Sequence, residues 1–257
     1  MSELPPVLYE RHDDHIAVIT LNRPEKKNAI NLRMAELIQM HLQRAEQDEK
    51  VWVIVLTGKP EAFSAGMDVQ AFRQGELPVV APGGFGGIIH AQLSKVIVAA
   101  VDGIAFGGGF EIALACDLIV AQRHARFSFP ETGLGLVAAQ GGCARLPARI
   151  SPYIALDWLL TGRIVGAEEA LRHGAISRLS EGPALEDALR LARQIAQKDP
   201  FASQVVKAIV RQSLAHREAP SFDYQQAGWS RFAAPQPDAK FQLAVAQIQD
   251  YSDGKTS

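Results

Sequence analysis

Val101-Asp102-Gly103-Ile104-Ala105-Phe106-Gly107-Gly108-Gly109-Phe110-Glu111 sets the character of this chain, because it reads as a buried strand, a glycine turn and a helix start carrying a carboxylate. The residues leading into it, Val96 to Val101, are continuously apolar and largely β-branched, as expected of a strand covered on both faces. Gly107, Gly108 and Gly109 remove three successive side chains, so backbone N–H groups can approach a ligand closely. Phe110 to Ala115 favours helix, which turns unpaired N–H donors and the positive end of the helix dipole toward the glycines. Such a place suits a phosphate, a carboxylate or an enolate oxygen. The same glycines would equally serve tight helix–strand packing with no ligand at all. Neither a GxGxxG dinucleotide pattern nor a Walker A lysine is present, which weighs against nucleotide phosphate.

Around this centre the pattern is α/β. Ile16 to Leu21 and Val51 to Leu56 are apolar runs of strand length. Between them Met34, Leu37, Ile38, Leu42 and Ala45 recur at helical spacing, giving a strand–helix–strand unit. The rhythm continues with a helix expected around Ile88 to Leu93, the strand at Val96, the helix after Gly109 and a strand near Leu118 to Val120. These imply helices covering a mostly parallel sheet. From about Ala184 helical periodicity takes over: Leu185, Ala188, Leu189, Ala192 and Ile195 form one stripe, and Val205, Val206, Ile209 and Val210 another. This helical layer either packs on another subunit or covers the sheet.

At 257 residues, 47% hydrophobic and with a net charge of −2, the chain has the makeup of a soluble globular protein without a general basic field for nucleic acid. Two cysteines, Cys116 and Cys143, suggest neither a disulfide scaffold nor a zinc site. The polar, proline-bearing start shows no signal peptide and no run reaches membrane-spanning length, so the expected compartment is the cytoplasm.

Two loops bear on chemistry. Ala62-Phe63-Ser64-Ala65-Gly66-Met67-Asp68 follows a strand, as does the glycine turn, and ligands of α/β folds sit outside the carboxyl ends of strands. One backbone N–H from each would make an oxyanion hole. Phe127-Ser128-Phe129-Pro130-Glu131-Thr132-Gly133 places a glutamate at an element boundary, where a solvated side chain is the ordinary expectation. Paired with Glu111 in one pocket, Glu131 would share acid and base work on one substrate. The basic loop Arg23, Lys26, Lys27 reads as solvated or as phosphate-contacting. The seven histidines lack metal-ligand or triad spacing and are assigned no chemistry.

Taken jointly, Leu21-Asn22-Arg23-Pro24 with Asn28-Ala29, Phe63 to Asp68, Ala99 to Glu111, Cys116-Asp117, Phe129-Pro130-Glu131, Gly141-Gly142 with Arg145-Leu146, and Leu160-Thr161-Gly162-Arg163 resemble the enoyl-CoA hydratase/isomerase (crotonase) family over nearly the whole chain. Pro82 to Phe85, Ala105 to Glu111 and Gly166 to Leu171 are most similar to its carnitinyl-CoA dehydratase (crotonobetainyl-CoA hydratase) branch. The resemblance implies a spiral of ββα repeats, with residues 1–195 as an acyl-CoA-binding catalytic core and 196–257 as a helical trimerisation region. It implies homotrimers or homohexamers, and no metal or resident cofactor, since coenzyme A belongs to the substrate. The thioester carbonyl would accept hydrogen bonds from the backbone N–H groups of Met67 and Gly108, with Gly107 alongside. Glu111 and Glu131 would handle protons and water, either one as acid or base. Lys26, Ala62, Ser64, Ala65 and Asp68 would line the path of coenzyme A, mostly through backbone.

Two departures stand out. Ala139 lies where the carnitinyl-type aspartate is expected, which weakens the case for a trimethylammonium substrate. Gln247 to Tyr251 replaces a basic run that contacts the coenzyme A phosphate in many members. Retention of both glutamates favours an enoyl-CoA hydratase over a 3,2-trans-enoyl-CoA isomerase, and a carnitinyl-CoA dehydratase-like enzyme is the other alternative within the family. A non-catalytic acyl-CoA-binding module of the same fold is the alternative from a different class.

Overall fold

The computed structural model describes residues 4–59 and 61–215. An antiparallel hairpin, β1 (Val7–Asp13) and β2 (Ile16–Leu21), opens the chain and leads into α1 (Leu32–Gln47). Asn31 caps α1 by accepting the Met34 N–H at 3.0 Å. The chain then takes a repeated step: a long strand, a short strand in a second sheet, then a helix. The first such step is β3 (Val53–Gly58), β4 (Ala62–Ser64) and α2 (Val69–Arg73). A small hairpin, β5 (Val79–Val80) and β6 (Gly84–Phe85), precedes the second, β7 (Val96–Val101), β8 (Ile104–Phe106) and α3 (Gly108–Ala115). The third is β9 (Leu118–Gln122), β10 (Arg126–Ser128), a 3₁₀ turn at Pro130–Leu134 and α4 (Gly142–Arg149). Then follow α5 (Pro152–Thr161), β11 (Val165–Gly166), α6 (Ala167–His173), β12 (Arg178–Ser180) and α7 (Ala184–Ala196), and residues 200–215 are helical.

The long strands and the three-residue β12 form one sheet in the order β1-β2-β3-β7-β9-β12, parallel from β2 onward. The short strands form a second sheet in the order β11-β10-β8-β4. This is the ββα spiral expected of the family. Because side chains alternate across a strand, the large sheet has two apolar faces. Ile16, Val18, Val53, Val55, Val96, Val98 and Val120 meet Ala188, Leu189 and Ala192 of α7. Ile19, Ile54, Leu56, Ile97, Ala99 and Ile119 join the main core with α1 and α3. Burial of both faces is why these strands read as unbroken apolar runs. Asp102, at the exit of β7, accepts the Ala184 N–H at 2.9 Å and so ties the start of α7 to the same corner. Phe110 packs against Phe127 and Phe129 with ring centroids 4.8 Å apart in both cases, locking α3 onto the second sheet.

Two expectations are corrected. Ile88 to Leu93 is not helical: positive φ at Gly84, Gly86 and Gly87 turns the chain repeatedly, and Ile88 and Ile89 are buried from a turn. The strand and helix of the glycine stretch are also not joined directly, since β8 lies between them and shifts the chain into the second sheet. Of the helical layer, α7 covers the large sheet, whereas the helix of residues 200–215 exposes Phe201, Val206, Ile209 and Val210. The 195/196 boundary falls at the end of α7; His216, Gln247 to Tyr251 and the rest of the C-terminal region lie outside the described residues. Among the described residues no helix is long and apolar enough to cross a membrane, and no group of three or more His, Cys, Asp or Glu is placed to hold a metal ion.

Candidate active site

The site forms where the loop after β4 meets the first turn of α3. Met67 makes a single parallel bridge with Ile30. Its two hydrogen bonds run from Ile30 N–H to Gly66 O (2.7 Å) and from Asp68 N–H to Ile30 O (2.9 Å), so Met67's own N–H is not used there. The N–H of Gly108, first in α3, has no carbonyl one turn earlier to receive it. Neither donor has an acceptor among the described residues. The two segments are close: a Cβ at Gly66 (φ +93°) would lie 3.1 Å from Gly108 N and 2.7 Å from Phe106 O.

The neighbouring glycines make this approach possible. A Cβ on Gly109 would stand 2.3 Å from the Ser64 carbonyl oxygen, and one on Gly108 would stand 2.5 Å from Cζ of Phe85. The two meanings left open by the sequence, anion site and tight packing, therefore occur together. The side-chain positions are filled by packing and the Gly108 N–H stays unspent, whereas the Gly107 N–H donates to Ser128 O at 2.9 Å.

Glu111 lies in the first turn of α3 and is 3% exposed. Its Oε1 accepts the N–H groups of Gln140 (2.7 Å) and Gly142 (2.9 Å), from the loop before α4 and its first residue. Burial pushes its pKa up to about 7, although both N–H groups and the nearby Arg145 pull it down. Glu131 comes from the 3₁₀ turn, and a Cβ on Gly107 (φ +51°) would lie 2.9 Å from its Oε1. Its Oε2 is enclosed and has no hydrogen-bond partner. Burial, and then the negative charge of Glu111, raise its pKa well above the usual carboxylate range. The expected solvated position is thus corrected: the Phe129–Pro130 corner turns Glu131 inward against the start of α3, a contact the local sequence does not display.

Two groups around the pair were not anticipated. Burial and the charges of Glu111 and Glu131 push the Cys143 thiol up to about 12, so it lies in the field of both. Phe85 covers Gly108 from the β6 hairpin. The Gly141-Gly142 pair was the one sequence signal nearby, and Gly142 proves to be a ligand of Glu111.

The positions expected along coenzyme A divide by what they have left to offer. Ser64 is buried, its hydroxyl donating to Asn28 O (2.8 Å) and accepting from Gly66 N–H (3.1 Å). Ala62 O accepts from the Asn28 side chain at 2.7 Å. Asp68 caps α2 through the N–H groups of Gln70 and Ala71 and pairs with Arg23 at 2.6 Å. Asn28, buried with φ +54°, ties these strands of the loop together, and its role was not read from sequence. Ala65 is half-buried, with its N–H donating to Lys27 O at 2.9 Å, and Lys26 is exposed with its ammonium 3.2 Å from Gln70 Oε1. A ligand here would meet Lys26 and the backbone around Ala65 to Met67 rather than the Ser64 or Asp68 side chains.

Two carboxylates with raised, separated affinities for a proton, beside two N–H donors that have no acceptor among the described residues, suit proton transfer next to a carbonyl that becomes an oxyanion. Residues 11–236 match the family model described as enoyl-CoA hydratase/isomerase. A carnitinyl-CoA dehydratase of Salmonella arizonae is 44% identical over 201 residues, spanning 76% of this chain and 77% of that protein. The structure of a carnitinyl-CoA dehydratase from Mycobacterium avium superposes with a TM-score of 0.84 at 34% identity, covering 93% of this chain and 95% of the other. An enoyl-CoA hydratase structure from Mycobacterium tuberculosis is 40% identical with a TM-score of 0.80, covering 87% and 88%.

Proposed function

Since the chain belongs to the enoyl-CoA hydratase/isomerase family, we propose that it adds water reversibly to a trans-2-enoyl-CoA thioester. The carrying observation is buried Glu111 paired with half-buried Glu131, whose Oε2 is enclosed, beside the unspent N–H groups of Met67 and Gly108. The thioester oxygen binds to the two N–H groups, which stabilise the enolate-like charge as it forms. By analogy with other oxyanion holes, each donor is worth about 10²–10³ in rate.

The environments assign the carboxylates. Glu111 is held by two N–H donors that favour its ionised form, so it takes a proton from water as the oxygen attacks the β-carbon. Glu131, with no partner on Oε2 and the Glu111 charge nearby, retains its proton and delivers it to the α-carbon. One proton enters at Glu111 and one leaves from Glu131, and exchange with solvent resets the pair. No resident cofactor takes part, because coenzyme A arrives with the substrate and lies along Lys26 and the backbone near Ala65. Dehydration of a 3-hydroxyacyl thioester is the reverse of the same step, so a carnitinyl-CoA dehydratase-like activity uses identical groups. The small Ala139, beside the Gln140 ligand of Glu111, provides no carboxylate for a quaternary ammonium.

The exposed apolar face of residues 200–215 supports assembly into a homotrimer or homohexamer. The two free thiols suit a cytoplasmic enzyme. The test is a panel of short and medium trans-2-enoyl-CoA thioesters: hydration supports the reading, and a panel left untouched refutes it. Conversion of a 3-enoyl-CoA without water uptake would select the isomerase. Glu131→Gln should bind acyl-CoA normally and lose turnover, whereas a wild-type protein that binds and never turns over would be the non-catalytic module.

A further inference from the structure

Asp117 closes the segment that carries the oxyanion donor. Its N–H donates to Ile97 O at 2.9 Å, and the Ile97 N–H donates back to Asp117 Oδ2 at 2.8 Å. This reciprocal pair joins the start of β7 to the second residue past α3, so β7, β8 and α3 form one closed loop. The same carboxylate receives Lys207 Nζ at 2.9 Å, and Nε and Nη2 of Arg211 at 3.0 and 2.9 Å. Arg211 Nη2 also donates to Ala115 O at 2.6 Å, and Arg149 Nη2 donates to Leu114 O and Cys116 O at 2.8 and 2.7 Å.

A negative charge at the carboxyl end of a helix opposes the helix dipole. Here it is largely buried and neutralised by two cations brought in from the helix of residues 200–215. By contrast, the amino end of α3 has no side-chain cap. The last turn of α3 is thus held by this polar cluster, while its amino end is held by Gly107 N–H donating to Ser128 O at 2.9 Å and by the Glu111 carboxylate, and an eight-residue helix places the two ends only about 12 Å apart.

We infer that Asp117 is a positioning residue, fixing the axial seat of α3 and with it the Gly108 N–H in the oxyanion hole. This rests on the oxyanion role proposed above. Misplacement of a catalytic group by about 1 Å costs about 10²-fold in rate. Asp117→Ala should thus lower kcat by about 10- to 100-fold while KM stays within about 3-fold. Affinity for a coenzyme A thioester analogue with an enolate-like anionic oxygen should fall by the same factor as kcat, and affinity for a saturated acyl-CoA should not. Asp117→Asn keeps an acceptor for the Ile97 N–H and should recover most of the loss.

A folded Asp117→Ala protein with unchanged kcat overturns the inference, as does equal weakening of both ligands. Should the alanine variant not fold, Arg211→Gln carries the test: kcat falls by about 3- to 10-fold at constant KM if α3 is seated from this end, and an unchanged kcat overturns it. A wild-type protein that hydrates no enoyl thioester refutes the underlying function instead, which separates the two failures.

Discussion

Replacing Gly109 by alanine should disable the site without touching any group that handles a proton. The new Cβ would lie 2.3 Å from the Ser64 carbonyl oxygen and 2.9 Å from its carbon, both backbone atoms that cannot rotate away. Restoring ordinary van der Waals contact requires α3 and the loop after β4 to separate by about 1 Å. These are the two segments that supply the Gly108 and Met67 donors, so the hole opens as the clash is relieved. A displacement of that size costs about 10²-fold in rate, or about 2.7 kcal/mol of transition-state stabilisation. Overpacking adds a stability loss of about 1–3 kcal/mol, which thermal unfolding resolves at about 2–4 °C for each kcal/mol in a chain of this size. The assay is the initial rate of trans-2-enoyl-CoA hydration, with Gly182→Ala as the control because a Cβ there meets nothing within 4 Å. A folded Gly109→Ala enzyme with more than about a third of wild-type kcat would refute the reasoning, because it would show that the spacing of the two loops does not govern the rate.

In the proposed mechanism Glu111 acts ionised, so kcat/KM should rise as pH passes through about 7 and fall again where Glu131 loses its proton; a profile flat across neutrality contradicts the pair. Both pKa values are raised on folding, so the native chain binds more protons than the unfolded one and stability falls as pH climbs above the ordinary carboxylate range. Glu131→Gln should lose less Tm than wild type between about pH 5.5 and 8.5, and equal losses count against the assignment. For Asp68, burial pushes the pKa up, but the Arg23 guanidinium and the N–H groups of Ala71 and Gln70 outweigh it and hold the group below its usual value. Its stabilisation is present above about pH 4 and lost in acid, and Asp68→Ala should cost about 2–3 kcal/mol in urea unfolding at neutral pH. The thiols of Cys116 and Cys143, both pushed up to about 12, should react with iodoacetamide at least about 10²-fold more slowly in the native than in the unfolded protein; a native rate equal to that of a free cysteine would contradict the burial and charge that raise them.

The central strand and helix were legible because a parallel strand buried on both faces has no polar residues to obscure it, and Val96 to Val101 has none. The three-residue β8 was not, since Ile104 to Phe106 is too short to show any period between Gly103 and Gly107. Ile88 and Ile89 suggested a helix because their burial leaves an apolar signal, while the backbone that buries them is set by glycines with positive φ. Of the site, Glu111 could be placed by its position after the glycines. The meeting of Glu131 with Gly107 depends on β10 pairing with β8, a long-range register that no local pattern encodes. Asp117 appeared only as half of a motif, and its clamp on Ile97 becomes visible once β7 and the end of α3 are brought side by side.

The most direct measurement is turnover of a trans-2-enoyl-CoA in heavy, oxygen-18-enriched water, followed by mass spectrometry of the product. Two carboxylates acting on opposite carbons predict one solvent hydrogen at the α-carbon and one solvent oxygen at the β-carbon, in a single product that Glu111→Gln and Glu131→Gln each fail to form. Solvent hydrogen incorporated without oxygen, or full turnover by either variant, would contradict the account.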